Sequence, residues 1–368
     1  MKKVISLVLC TAILTVQTTR VSAVTTFVAG AALMETSAKT FLYKKNVDTR
    51  LAMASTTKIT TAFVALKYGD ISSKCVIPQS VVGIEGSSMY HLTAGEVYTL
   101  DELLYGLIMA SGNDAAAAIA IHIAGSEEEF TTLMNTEAKA MGLSDTHFDN
   151  PSGLDSKTHY TTERDIALIT AAAIENEDYL RYVKTKSHVI EADDTHAAKY
   201  FASKNRILLT YDGTIGVKTE YTISSGRSLV TAVERDGIRL IAVTINDAND
   251  WSDHKNLLTH VFSRAASIDL MQYAKPEYTV AVAGGRSVWV RSDITAPVTL
   301  IDEVSLVITS KVILPHFLYP NFGLLQRVGE VKIYANGRQI GSIPLRTYDT
   351  VPVQNTKKSL WELICGLF

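Results

Sequence analysis

Strand-like runs stand on both sides of a long helical block, and this bracket constrains the fold more than any other feature of the chain. Short apolar runs at 27 to 35 and 41 to 45, separated by Thr36-Ser37-Ala38-Lys39, read as two antiparallel strands joined by a turn. Helical spacing follows at Ile59, Ala62, Phe63 and Leu66, with Gly69 as the stop. Thr99-Leu100-Asp101-Glu102 is a capping-box pattern opening a helix through Leu103, Leu104, Leu107 and Ile108. An Ala- and Ile-rich helix is expected from Asp114 to Ile123, another from Ser126 through Met141, and a third from Thr162 to about Ile174. Strand patterns return at 215 to 219, 228 to 233 and 240 to 245, and helical periodicity from Asp253 to Met271. The expected fold class is α/β in the α+β sense: an antiparallel sheet with a helical block.

The character changes at about Pro276 to short alternating strands with turn residues, which predicts a small all-β domain, a β-sandwich, over 276–350. Asn336-Gly337 between Ile333-Tyr334 and Gln339-Ile340 is its strongest hairpin signal. With no clustered acids, histidines or cysteines, this domain is expected to be a spacer or interaction module. At the other end, Met1-Lys2-Lys3, an apolar run from Val4 to about Val16 and Val21-Ser22-Ala23 read as a secretory signal over 1–23, cleaved after Ala23. The larger, first domain is then 24–275. Residues 351–368 form a linker and a helix whose apolar positions 360, 361, 363, 364, 367 and 368 make an amphipathic stripe. Too short to span a bilayer, that helix is expected to lie on the membrane surface with Trp361 and Phe368 buried.

The net charge of −3 becomes more negative once Lys2, Lys3 and Arg20 leave with the signal, which argues against nucleic acid as a partner. Cys75 and Cys365 remain in the mature chain, far apart and differently placed, so no disulfide framework is expected.

The chemistry concentrates in three short motifs. Ser55-Thr56-Thr57-Lys58 places a hydroxyl and an amine one helical turn apart on the same face, at the start of a helix whose free N–H groups favour developing negative charge. A serine hydroxyl needs a base in contact, and a lysine serves when burial and neighbouring cations depress its pKa. Ser111-Gly112-Asn113 falls in a loop between two helices, and Lys218-Thr219-Glu220 on a strand. His147, His159 and His254 show no metal-ligand spacing and are expected to make structural hydrogen bonds.

In this order and context the three motifs resemble those of the serine-type D-alanyl-D-alanine carboxypeptidases, the low-molecular-weight penicillin-binding proteins, whose signatures are S-x-x-K, S-x-N and K-T-G. Glu85-Gly86-Ser87-Ser88, Asn150-Pro151-Ser152-Gly153-Leu154-Asp155 with His159-Tyr160, and Asn249-Asp250-Trp251-Ser252-Asp253-His254 are similar to that family too. The resemblance implies a β-lactamase/transpeptidase-like domain that removes the terminal D-alanine of peptidoglycan stem pentapeptides and is acylated by β-lactams. It implies Ser55 as nucleophile, Lys58 as base, Ser111 as proton relay and Asn113 as a donor to substrate or an orienter of Lys58. Lys218 and Thr219 would hold the terminal carboxylate, and the N–H groups of Ser55 and Tyr221 the oxyanion. No metal or other cofactor is required, and the expected location is the outer face of the cytoplasmic membrane.

One position departs from the pattern. Glu220 stands where the family has glycine, and a two-residue strand period points it to the side of Lys218. The expectation is that it pairs with Lys218, competes with the substrate carboxylate and lowers activity. Glu220 therefore also carries the alternative of a non-catalytic peptidoglycan-binding scaffold. A serine β-lactamase is a further alternative, but no clear Glu-x-x-Leu-Asn pattern for a deacylating base follows Asn113.

Overall fold

A computed structural model of the chain describes residues 11–14, 30–36, 39–222, 226–283, 286–293, 295, 298–301, 306–319 and 322–348. The chain divides into two units, one within 21–265 and one combining the N-terminal segment with residues from Ala266 onward.

In the first unit the bracketing strands do meet in one sheet. Five antiparallel strands run in the order Thr40–Lys45, Gly30–Glu35, Ile238–Ile245, Gly226–Arg235, Thr214–Thr222. The middle strands are apolar on both faces because helices cover them, and Thr214–Thr222 is left as an edge. The helices are α1 (Thr57–Tyr68), α2 (Leu100–Tyr105), α3 (Asn113–Ala124), α4 (Glu127–Ala140), α5 (Glu163–Ala173), α6 (Glu177–Lys184), α7 (Arg206–Thr210) and α8 (Asp250–Phe262). Helix α5 packs on Gly30–Glu35 and Ile238–Ile245, and α8 on Gly226–Arg235 and Ile238–Ile245.

Helix α1 lies at the centre of the block, against α3, α4, α5 and α6, so even Thr57, Thr60 and Thr61 are buried. Its one charged residue inside that core is Lys58. The capping box at Thr99 forms as expected: its side chain accepts from Glu102 N–H, and the Glu102 carboxylate accepts from Thr99 N–H at 2.7 Å. Helix α2 then runs into a π-helical turn, Gly106–Ala110, that delivers the chain to Ser111.

The helix expected over 253–271 starts earlier and is shorter. It opens at Asp250 and stops at Phe262, because Ala265–Ile268 is extended and paired with Val298–Ile301 while Leu270–Tyr273 is a 3-10 turn. Pairing with a distant strand overrides the local period. Leu270 is buried with Val280, Val290, Ile308, Ile333 and Leu345, so the second unit takes in chain ahead of the compositional change at Pro276.

That second unit is a seven-stranded sheet in the order Thr11–Leu14, Leu306–Ile313, Arg327–Ala335, Arg338–Thr347, Arg286–Ser292, Glu277–Val282, Phe317–Leu318. All pairs are antiparallel except the last. Asn336-Gly337 makes the expected hairpin turn. Of the segment read as a leader, only residues 11–14 are described, as the edge strand against Leu306–Thr309. The amphipathic stretch 359–368 lies outside the described residues.

One buried charge in the first unit stands apart from the motifs. Glu163 opens α5 with its carboxyl group against Gly30, and neither oxygen meets a hydrogen-bond partner. Burial pushes its pKa up to about 7, and the nearby charge of Asp48 adds to the shift. The folded state therefore holds a proton that the unfolded chain releases near 4.5, so this group's contribution to stability falls as pH rises from about 4.5 to 7 and is constant above. Chemical denaturation of Glu163→Gln should match wild type at pH 4 and exceed it by roughly 3 kcal/mol at pH 8. An equal gain at both pH values would show that Glu163 is not buried in its neutral form.

Candidate active site

Ser55 sits in a 3-10 turn, Ala54–Thr56, immediately before α1, rather than inside the helix. Ala54 is held at φ 43, a left-handed conformation that costs a residue with a side chain on the order of 1 kcal/mol. Neighbours hold the turn in place. Asp149 N–H donates to His159 Nδ1 at 3.0 Å, which leaves the proton on Nε2. That N–H donates to Thr57 Oγ1 at 2.8 Å, and Thr57 in turn donates to Ala54 O at 2.7 Å. Burial pushes His159 down to about 4, so this neutral relay persists across the physiological range. Gly153, at φ +89, lies so close to Ala54 O that a β-carbon there would collide with it.

Lys58 is fully buried, and its Nζ has three partners: Ser55 Oγ at 2.7 Å, Asn113 Oδ1 at 2.7 Å and Ser152 O at 2.6 Å. Two of these are carbonyl oxygens, which only accept. A neutral amine has two N–H groups and one lone pair. Once both N–H groups point at the carbonyls, the lone pair is left facing the Ser55 hydroxyl. The electrostatics favour that neutral form: burial, then the charge of Lys218, drives the Lys58 pKa well below 10.5, with Glu220 and Asp114 opposing.

Asn113 has its amide orientation fixed, because Nδ2 donates to Glu85 O at 2.7 Å. Of the two expected roles, this geometry fits orienting Lys58. Gly86 makes the approach feasible, since a β-carbon there would lie 2.6 Å from Asn113 Nδ2. Ser111, just ahead of α3, is held at φ 59, and its buried Oγ has no partner. An unsatisfied hydroxyl on a strained backbone is costly in a core, and it is free to take part in a proton transfer.

The edge strand Thr214–Thr222 packs on the Ser55 turn. Lys218 is buried and pushed down to about 8 by desolvation, with Glu220 opposing and Lys204 adding to the shift; its Nζ donates to Thr219 O at 2.7 Å. The expected Lys218–Glu220 pair does not form. Glu220 instead folds back so that Oε1 accepts from Tyr221 N–H at 2.9 Å. An unpaired N–H at the sheet edge one residue away is a nearer partner than the recessed ammonium. Ser111, Lys218, Thr219, Glu220, Tyr221 and Arg227 all line one cavity of about 400 Å³.

The structure thus joins Ser55, Lys58 and Asn113 by direct hydrogen bonds and gathers Ser111, Lys218, Thr219 and Tyr221 around a shared cavity. The Ser152 carbonyl and the His159 relay escaped the sequence reading as parts of the site. The turn cluster Asn150-Pro151-Ser152-Gly153 was visible, but a backbone carbonyl has no side-chain signature. His254 is structural, held between Thr231 and Thr244 in the core. Cys75 is buried, and desolvation raises its thiol to about 11, which leaves it unreactive. Among the described residues, no group of three or more His, Cys, Asp or Glu side chains is placed to hold a metal ion.

Comparison with known proteins places this geometry in a family. The D-alanyl-D-alanine carboxypeptidase family pattern matches residues 17–249. The chain is 31% identical over 281 residues to the D-alanyl-D-alanine carboxypeptidase DacF of Bacillus subtilis, covering 74% of this chain and 72% of that protein. It is 28% identical over 344 residues to DacA of Escherichia coli, covering 85% and 81%. Penicillin binding protein 5 of Haemophilus influenzae superposes with a TM-score of 0.75 at 25% identity, covering 90% of this chain and all of that one. The chain belongs to the D-alanyl-D-alanine carboxypeptidase family.

Proposed function

We propose that Ser55 removes the terminal D-alanine of peptidoglycan stem pentapeptides through an acyl-enzyme, with Lys58 as its base. The observation that carries this reading is the coordination of Lys58, whose two carbonyl partners leave its lone pair for the Ser55 proton. Ser55 Oγ attacks the carbonyl of the penultimate D-alanine as its proton passes to Lys58. The oxyanion is met by the N–H groups of Ser55 and Tyr221. Ser111, with its free hydroxyl, passes the proton to the departing amine, and D-alanine leaves. Lys218 and Thr219 hold the carboxylate of that leaving residue. Water then attacks the acyl-enzyme, with Lys58 again taking a proton. A β-lactam follows the same first step, but its leaving group stays tethered.

The site works outside the cell in this reading, on the outer face of the cytoplasmic membrane after removal of residues 1–23. No helix among the described residues is long and apolar enough to cross a membrane. In this reading the amphipathic stretch 359–368 attaches the protein peripherally.

Three outcomes follow. Fluorescent penicillin should label wild type and leave Ser55→Ala unlabelled; equal labelling would remove Ser55 from the chemistry. Lys218 holds a carboxylate only while charged, and its pKa lies at about 8. KM for a D-Ala-D-Ala peptide should therefore climb above pH 8 in wild type and stay flat to pH 9.5 in Lys218→Arg, whose guanidinium keeps its charge. A wild-type KM that is constant across that range contradicts the assignment. Finally, mature protein should float with anionic liposomes and a form lacking 356–368 should not; equal flotation would rule out the tail as the anchor.

A further inference from the structure

We infer that Glu220 sets the rate of acylation: its carboxylate occupies the Tyr221 N–H as an internal stand-in for the reacting carbonyl, and the substrate must displace it. The inference rests on the Ser55 reading and adds a control that the family pattern, with glycine at this position, does not contain.

The argument starts at the sheet edge. Thr214–Thr222 has a partner strand on one side only, so alternate residues turn their N–H and C=O groups outward. Thr219 and Tyr221, two residues apart, are the outward pair. Thr219 O accepts from Lys218 Nζ, and Tyr221 N–H donates to Glu220 Oε1, so neither group belongs to the ladder with Gly226–Arg235. The same strand packs on the turn that carries Ser55. The Tyr221 N–H is therefore an edge donor on the strand that faces the nucleophile, where an acyl carbonyl can dock and develop charge.

In this chain that donor is already engaged by an ionisable carboxylate. A hydrogen bond to a carboxylate is roughly twice as strong as one to a neutral carbonyl. An incoming substrate carbonyl cannot win the N–H in a straight exchange, and an oxyanion forming beside the carboxylate would meet like charge. Glu220 must first swing away from the N–H into the cavity it lines. Once the acyl-enzyme has formed, its carbonyl holds the N–H, so the penalty falls on acylation and not on hydrolysis.

The test compares Glu220→Ala and Glu220→Gly with wild type and Ser55→Ala, following labelling by fluorescent penicillin and then release of the label. Both Glu220 variants should be acylated about 10- to 100-fold faster, with release unchanged within about threefold. Acylation at or below the wild-type rate in both variants overturns the inference. Acceleration in the glycine variant alone also overturns it, since the gain would then come from backbone freedom. A release rate that rises in parallel with acylation does so too. Labelling of Ser55→Ala would overturn the underlying Ser55 reading, a result distinct from all of these.

Discussion

A lysine ammonium buried away from water must be matched by polar partners or give up its proton, and this site is built around that constraint at Lys58. Every partner of its nitrogen comes from a different part of the chain: Ser55 from the turn before α1, Asn113 from the start of α3, and Ser152 from the loop before α5. Removing any one would leave a buried nitrogen short of a partner. The helical block is thus packed around Lys58 as much as around its apolar residues, and that burial is the main cause of its lowered pKa.

Part of the unit's backbone strain lies at the same point. Ala54 and Ser111 both adopt left-handed backbone, the chain enters Ser111 through a π-helical turn, and Ser111 Oγ is buried without a partner. Each is unfavourable by itself, on the order of 1–3 kcal/mol. They persist because the surroundings over-determine them. The His159–Thr57–Ala54 relay and the close approach of Gly153 fix the Ser55 turn, while Glu85 O and the Ser87 carbonyl, which accepts from Asn113 N–H at 2.7 Å, fix the start of α3. The edge strand completes the site by bringing a second, buried lysine close enough to Lys58 for their charges to interact.

Much of this was legible in the sequence where a residue type and a spacing carry the information. The three motifs located Ser55, Lys58, Ser111, Asn113 and Lys218; the capping box and the Asn-Gly turn fixed two element ends; and apolar periodicity placed α1, α3, α4 and α5 within a residue or two. What escaped lacks a side-chain signature or depends on distant partners. The carbonyl of Ser152 is a backbone atom. The end of α8 is set by a strand pairing more than thirty residues away. Glu220 departs from the K-T-G pattern, yet strand parity alone points it at Lys218. Only the geometry of an edge strand, with an outward N–H one residue on, shows where its carboxylate goes.

The central claim is that burial, and then the charge of Lys218, shift Lys58 towards its neutral form. Lysine side chains labelled with carbon-13 at Cε can be followed by NMR through a pH titration, with Lys58→Ala identifying the signal. The account predicts a Lys58 resonance that titrates well below 10.5, clearly separated from the exposed lysines. A Lys58 signal that titrates with the exposed lysines, near 10.5, would contradict it.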